Sequence, residues 1–512
     1  MFAIVMRINF APTNQYHQIM NKLTKVLVVM LAFAALLTGC NKESSEKKIL
    51  NFKFASPSVE AVITESAKTI VAVVPFGTDV TALVPIITVS DKATVSPASG
   101  MPVNFTNPVT FTVTAEDGST ATYVASVTVD QNGGGGGGGT GDPTTWSGSI
   151  NANTTWPDLG LDVDYIIDGW TYIEGNALLT IEPGVTIMFT GTNGHIDVGE
   201  NAGIKMVGTA EKPIRLVNPL NNNNPGAWRG ITIHSNRNDN QFEYVEFING
   251  GSDENAVVAC DGKLSMKHCL INGGLGNGVE LYYSGVFTAF ENNTIKNVVY
   301  PLWINEHEKA SLLGSGNTYT NNTNNMIALD DYWLESDATF SNQGIPYFIP
   351  QGLQISDNSK MTVEAGAEFV FDYEKRLVVS EDCKMEVNGT ANLPVIFRAL
   401  NAEDPWSGIE FWSNRNGNVI NYAKIMNCGT GDYGSDRCCL WIGSNAKLTL
   451  TNNVFGPSNY NGVGIESIEN WGNVTHSGNT FTGCAEGNVL IWNYGEYNGQ
   501  IYEEGQVLNE LP

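Results

Sequence analysis

Three clusters in this sequence carry side chains of the types that do chemistry. CGTGDYGSDRCC (Cys428 to Cys439) places Asp432 and Asp436 four positions apart, with Arg437 adjoining. Two carboxylates with nearby backbone carbonyls can chelate calcium; the alternative is a polar or disulfide-pinned loop. Asp330-Asp331-Tyr332-Trp333 sets paired carboxylates beside an indole. That pairing suits a sugar subsite, though a linker would use the same residues. Asn305-Glu306-His307-Glu308-Lys309 surrounds one His with charges, and a solvated turn is expected there. Polysaccharide cleavage by elimination needs cation-binding carboxylates and a basic proton acceptor; hydrolysis needs two or three acids converging on one groove. Catalytic candidates are therefore Asp330, Asp331, Asp432 and Asp436, and the calcium candidates are Asp432 and Asp436.

Aromatic residues give a second lead. Trp333, Trp412, Tyr282 and Tyr283 have flat faces that suit stacking on sugar rings, and they are the ligand-binding candidates. Trp412 takes the place that His234 holds in an otherwise similar stretch, which argues against a purely structural role.

That similar stretch shows which elements must position these residues. WRGITIHSNRNDNQFEYVEF begins at Trp228 and WSGIEFWSNRNGNVINYAKI at Trp406, 178 positions on. YIIDGWTYIEGNALLTIEPG (from Tyr165) likewise matches YFIPQGLQISDNSKMTVEAG (from Tyr347), and GKLSMKHCLI matches AKLTLTNNVF. Roughly 155–335 and 337–505 thus form a tandem duplication. Duplicated positions are expected to be scaffold: Trp228 and Trp406 covering a coil edge, Gly230 and Gly408 relieving crowding, Arg237 and Arg415 bonding exposed carbonyls. A finer period of about 23 residues runs inside each copy, with short strands ending in Asn or Gly at Gly250, Gly273, Asn297 and Asn321. Strands of three to five residues at that period predict a parallel β-helix. Inward Val, Ile, Leu and Phe would stack about 4.8 Å apart, Asn would ladder at the corners, and some fourteen coils would span about 65 Å.

Residues 49–130 alternate as short strands, with a hairpin at Glu116-Asp117-Gly118-Ser119. They predict a small β-sandwich. Seven glycines, Gly133 to Gly139, lie within a linker over 131–144, a coil of roughly 15 Å span. The β-helix is expected over 145–512. The composition agrees with an all-β chain: charged residues make up only 16%, and Gly and Asn are abundant. A net charge of −26 argues against nucleic acid and, more weakly, against polyanionic glycans, unless a local basic cleft overrides it.

The N-terminus reads as an export signal from Met20: Lys22 and Lys25, then VLVVMLAFAALL, then Leu37-Thr38-Gly39-Cys40. This resembles the bacterial lipobox. The resemblance implies that the lipoprotein signal within 1–40 is cleaved before Cys40, with a diacylglycerol on the Cys40 sulfur and a polar tether over 41–48. A membrane partner through that anchor follows, as an outer-membrane lipoprotein facing the periplasm or the cell surface. Seven further Cys, an odd number, cannot all pair within the chain; Cys428 with Cys438 or Cys439 is the shortest closure.

VPFGTDVTALVP, ATVSPASG and FTNPVTFTVTAEDGSTATY resemble the Ig-like module that follows the lipid anchor in Bacteroidetes surface proteins. Ile181-Glu-Pro-Gly-Val, the two G-T-A-x-x-P-type segments at Gly208 and Gly389, and W-x-G-I resemble right-handed parallel β-helix proteins of the pectate-lyase-like fold in Bacteroidetes lipoproteins. The Asn-Thr-Asp, Asp-Asp and Gly-His-Gly set familiar from polygalacturonases is missing. The resulting expectation is a tethered β-helix that binds polysaccharide or a surface protein, glycan first. A polysaccharide lyase or glycoside hydrolase, or an envelope scaffold, are the alternatives, with calcium a possible cofactor.

Overall fold

The computed structural model describes residues 43–512, except 56–57, 75–77, 130–141, 219–223, 254 and 432–433. Cys40, the export signal and Asp432 lie outside the described residues. The chain divides into two compact units, one within residues 1–130 and the other within 131–512.

The N-terminal unit is all β. Ser58–Glu60, Ile49–Ala55 and Pro85–Val89 form one antiparallel sheet. Val62–Thr64, Thr69–Val74, Thr120–Val129, Val109–Thr114 and Thr94–Ser96 form a second. The expected hairpin pairs Thr114 with Thr120 across the Asp117-Gly118 turn, where Gly118 takes φ +78°. Strand alternation sends Phe52, Phe54, Phe111 and Tyr123 inward, and Phe105 joins them from a loop. Phe52 meets Phe54, Phe105 and Phe111 edge-on at 5.3–6.4 Å.

The second unit is a parallel β-helix of three faces. In the first copy, face A includes Leu178–Ile181, Gly203–Val207 and Lys263–Lys267. Face B includes Thr186–Phe189, Ile214–Val217 and Val245–Gly250. Face C includes His195–Val198, Gly230–Ile233, Val258–Cys260, Val279–Leu281, Leu302–Ile304 and Ile327–Leu329. Alternation decides which side chains go inside. On face C, Ile196, Ile231, Val258, Val279, Leu302 and Ile327 stack rung on rung, all buried. Each such side chain contributes about 1.5–3 kcal/mol by leaving water. One coil has no interior of its own, so the stack is what makes the core.

The duplicated positions are scaffold, as expected. Trp228 and Trp406 are fully buried, stacked on Phe189 and Phe371 at 4.2 Å. Each indole N–H donates to a carbonyl of the next coil, Ile248 at 2.8 Å and Met426 at 2.9 Å. Gly230 (φ +131°) stands where a Cβ would lie 2.5 Å from the Ala256 carbonyl oxygen. Arg237 donates to Asn176 and Asn201 carbonyls, and Arg415 to those of Asn358 and Asp382. Each guanidinium thereby ties two successive coils together. Corner asparagines ladder mainly through backbone: Asn293 accepts from Cys269 N–H at 3.0 Å and donates to Met266 O at 2.9 Å.

The join between copies is not a simple continuation. Ile327–Leu329, the last face C strand of the first copy, pairs with Tyr347–Ile349, which by sequence is the first face B strand of the second. The second copy's face C starts afresh at Trp333–Leu334, which pairs with Leu353–Ile355. Outward side chains along the shared ladder at the join are Trp303, Ala328, Phe348 and Val370, an apolar patch flanked by Tyr300, Met326 and Leu400.

The cluster expected as a solvated turn is instead interior. His307–Leu312 forms a 3-10 turn at this join with His307 and Lys309 buried. The His307 imidazole donates from Nε2 to the Asp331 carbonyl at 2.9 Å. Its burial lowers its pKa to about 4. The Pro512 carbonyl accepts from Trp471 Nε1 at 3.0 Å and His476 Nε2 at 2.9 Å.

Candidate functional site

Outward positions on face C alternate with the core stack, so strand geometry alone brings residues about 25 apart in sequence to adjacent rungs. Tyr172, Asp197, Thr232, Ala259 and Glu280 occupy the central outward row of successive coils. Trp170 and His195 sit one outward position before this row, on their own two rungs. His234, Asp261 and Tyr282 follow the ends of their strands. Small side chains at Thr232 and Ala259 leave a floor, and a cleft of about 290 Å³ opens over them.

Its polar groups are tightly arranged. His234 Nδ1 lies 2.9 Å from both oxygens of Asp261, which puts the proton on Nδ1. His234 Nε2 lies 3.6 Å from Asp197. Burial by itself lowers the His234 pKa, but the Asp261 hydrogen bond and charge, helped by Asp197, outweigh it and raise the value. His195 is only 4% exposed and its Nε2 is 3.9 Å from Asp197. Its Nδ1 is buried without a hydrogen-bond partner among the described residues. Arg229 lies over the Trp170 ring at 5.1 Å, a cation–π contact, while Tyr172 stacks on the same indole at 5.6 Å.

Tyr282 forms one wall. It is 41% exposed, and its hydroxyl donates to Glu280 at 2.7 Å, so its ring is held in place with one face open. Burial, then the Glu280 hydrogen bond, raises its pKa. The turn carrying it is anchored from behind by the buried Lys309 ammonium, which donates to the carbonyls of Tyr282 (2.9 Å) and Tyr283 and pairs with Glu306 at 2.8 Å.

The second copy repeats the scaffold and replaces the face. Where the first copy has Thr232, His234, Ala259 and Asp261, the second has Glu410, Trp412, Trp441 and Gly443 on the corresponding rungs. Trp441 is 3% exposed and fills the volume that Ala259 leaves open. Trp412 lies over Gly443, where a Cβ would sit 2.3 Å from its ring, and its N–H is 3.4 Å from Glu410. It packs with Trp441, Trp492, Leu490 and Cys438.

The predicted residues divide accordingly. Tyr282 lines the cleft; Tyr283 adjoins it, with its ring exposed. Trp333 is 44% exposed at the join, edge-on to Tyr332 at 4.8 Å. Asp331 caps its own turn through the Tyr332 N–H at 2.6 Å, and Asp330 accepts from Gln351 at 3.3 Å. Asp436 is ion-paired with Arg376 at 2.8 Å, and Arg376 also holds Glu410. These acids thus engage separate partners instead of one another. The described residues contain no cluster of three or more His, Cys, Asp or Glu arranged for a metal ion. All seven described Cys are free thiols. Cys428 and Cys439 share the interior, whereas Cys438 faces outward against Trp441.

Sequence reasoning missed Trp170, His195, Asp197, Arg229, His234 and Asp261. The signal was present: Arg229 stands opposite Ser407, Trp170 opposite Gly352 and His234 opposite Trp412. Positions that differ between two otherwise matching copies are the ones the scaffold does not need.

Comparison with known proteins gives two partial matches. Residues 49–129 match the family model described as SGBP, N-terminal. Residues 148–259, which include most of the cleft, match the pectate-lyase like beta helix domain. No curated protein matches the chain. Two solved structures align over 17% of it each. One is a proposed glycoside hydrolase from Bacteroides thetaiotaomicron, 34% identical with TM-score 0.15. The other is a proposed secreted protein from Bacteroides fragilis, 20% identical with TM-score 0.14. The alignment spans 26% of the first structure's chain and 97% of the second's. No helix among the described residues is long and apolar enough to cross a membrane.

Proposed function

We propose that this chain is a surface-associated glycan-binding protein, tethered by a lipid on Cys40, whose β-helix takes a saccharide in the face C cleft of its first copy. The observation that carries the reading is the cleft itself. It is a pre-formed space of about 290 Å³ with an open tyrosine face and converging polar groups, all at positions the second copy does not share. The match of residues 49–129 to an SGBP-type domain supports a glycan-binding context. The test uses the substitution that the molecule already contains one copy away. Ala259→Trp places an indole on the cleft floor, as Trp441 does in the second copy. The full chain and the variant are titrated against a panel of plant and host oligosaccharides, with calcium and with EDTA. Wild-type retention that the variant loses supports the reading; equal retention by both places the ligand elsewhere.

One observation favours a second reading, an enzyme on the same face. Asp197, His234 and Asp261 form a connected carboxylate–imidazole–carboxylate series in the cleft, a set able to move a proton. Appearance of reducing or unsaturated ends during the same titrations would establish it.

A further inference from the structure

The β-helix has seven described arginines, and six of them are committed. Arg215, Arg237, Arg376, Arg398 and Arg437 each pair with a carboxylate, and Arg415 holds two carbonyls. Arg229 differs. Among the described residues its guanidinium meets no carboxylate and rests on the Trp170 ring. A cation–π contact fixes the plane of a guanidinium but uses none of its five N–H donors. In a chain of net charge −26 an uncommitted arginine in a cleft stands out, because acids are abundant. Beside it, the His195 imidazole is buried with Nδ1 unpartnered, and it packs on the same indole at 4.6 Å. A buried polar atom left unpaired is costly, and a ligand group would relieve that cost.

The surroundings limit how much negative charge can enter. Asp197 and Asp261 flank His234, and Glu280 holds the Tyr282 hydroxyl, so the carboxylates are a rung or two from the guanidinium. A forked guanidinium matches carboxylate, sulfate or phosphate oxygens. A ligand with a charge on every sugar would meet the acids as well as the arginine.

Building on the glycan reading, we infer that the cleft recognises a single anionic substituent on an otherwise neutral glycan. In this arrangement Arg229 pairs with the anion, His195 Nδ1 meets a neighbouring hydroxyl, and Tyr282 backs the ring. In this arrangement His195 Nδ1 is the acceptor and Nε2 is the nitrogen nearer Asp197. Trp170 acts as a positioning residue that holds the guanidinium flat.

Calorimetric titration of the full chain tests this with four probes. They are lactose, lactose bearing one sulfate, xylotriose bearing one glucuronic acid, and a hexamer of galacturonic acid. One singly charged probe is expected to bind best, with sulfate and carboxylate distinguished by which arm responds. Arg229→Gln is expected to weaken that probe by at least about tenfold and to leave the neutral sugar unchanged. Arg229→Lys keeps the charge without the fork and is expected to fall between. Circular dichroism of both variants checks that the coil is intact. Equal affinity for neutral and charged probes, or an equal loss for both in Arg229→Gln, overturns the inference while the glycan reading stands. Tightest binding of the galacturonate hexamer overturns the single-charge limit. If no sugar binds, the glycan reading falls, and this inference with it.

Discussion

His307 gives the sharpest physical test of the fold at the join. It is wholly buried, its Nε2–H is committed to the Asp331 carbonyl, and burial holds its pKa near 4. An unfolded histidine titrates near 6.5. The folded state therefore refuses a proton that the unfolded state accepts. The stabilising contribution is complete above pH 6.5 and is lost progressively as pH falls toward 4. The gap between 6.5 and about 4 corresponds to about 3 kcal/mol at the low end. Carboxylates add their own acid dependence, so the comparison is with His307→Gln, which keeps a donor for the carbonyl and removes the titration. Urea unfolding at pH 7.5, 6.5, 5.5 and 4.5 would show the wild type losing stability relative to the variant across that window. A parallel NMR titration would show His307 silent down to pH 5. An imidazole that titrates near 6.5, or wild-type and variant curves that stay parallel, would refute the buried neutral histidine and the packing of the join built on it.

Other consequences can be measured separately. Trp228→Ala and Trp406→Ala should each cost about 3–5 kcal/mol in urea unfolding, since both indoles are fully buried and stacked. Similar costs at the two sites would confirm equivalent scaffold roles. Gly230→Ala should destabilise the coil, because its Cβ would meet the Ala256 carbonyl oxygen. A variant as stable as wild type would contradict that close approach. Asn293→Leu should cost about 1–3 kcal/mol by leaving the Cys269 N–H and Met266 carbonyl unpaired, and faster amide exchange at Cys269 would report it.

The architecture was legible because it is written redundantly. A 23-residue period and a duplicated block both point to stacked coils, and the roles assigned to Arg237 and Arg415 follow from exposed carbonyls at every corner. Apart from Tyr282, the site was not legible, because it has no local signature. His195, Arg229, Asp261 and Tyr282 are separated by 21 to 34 positions, and only rung-by-rung register brings them together. Runs of acids drew notice instead, and Asp331 and Asp436 prove to be a turn cap and an ion-pair partner. Asn305 to Lys309 misled for a related reason. Charge in sequence suggests solvent, but the Lys309 ammonium finds two carbonyls and an acid inside the fold. The phase of the join was equally hidden, since it depends on which strand of the second copy Ile327–Leu329 pairs with.

That phase has a consequence for how the two halves can change. In a stacked coil every outward side chain must tolerate its neighbours on the rungs above and below. Had the copies joined like to like, the face C residues of one would have abutted their own counterparts. Here the first copy's face C meets the second copy's face B, and the crossing is settled by Ala328 against Phe348 and Val370. The two face C surfaces thus have no shared border, and substitutions on one impose no fit on the other. A duplication set out of phase is a way of copying a frame without copying its obligations. The histidine-and-arginine cleft and the tryptophan cluster are what two separately edited versions of one surface look like.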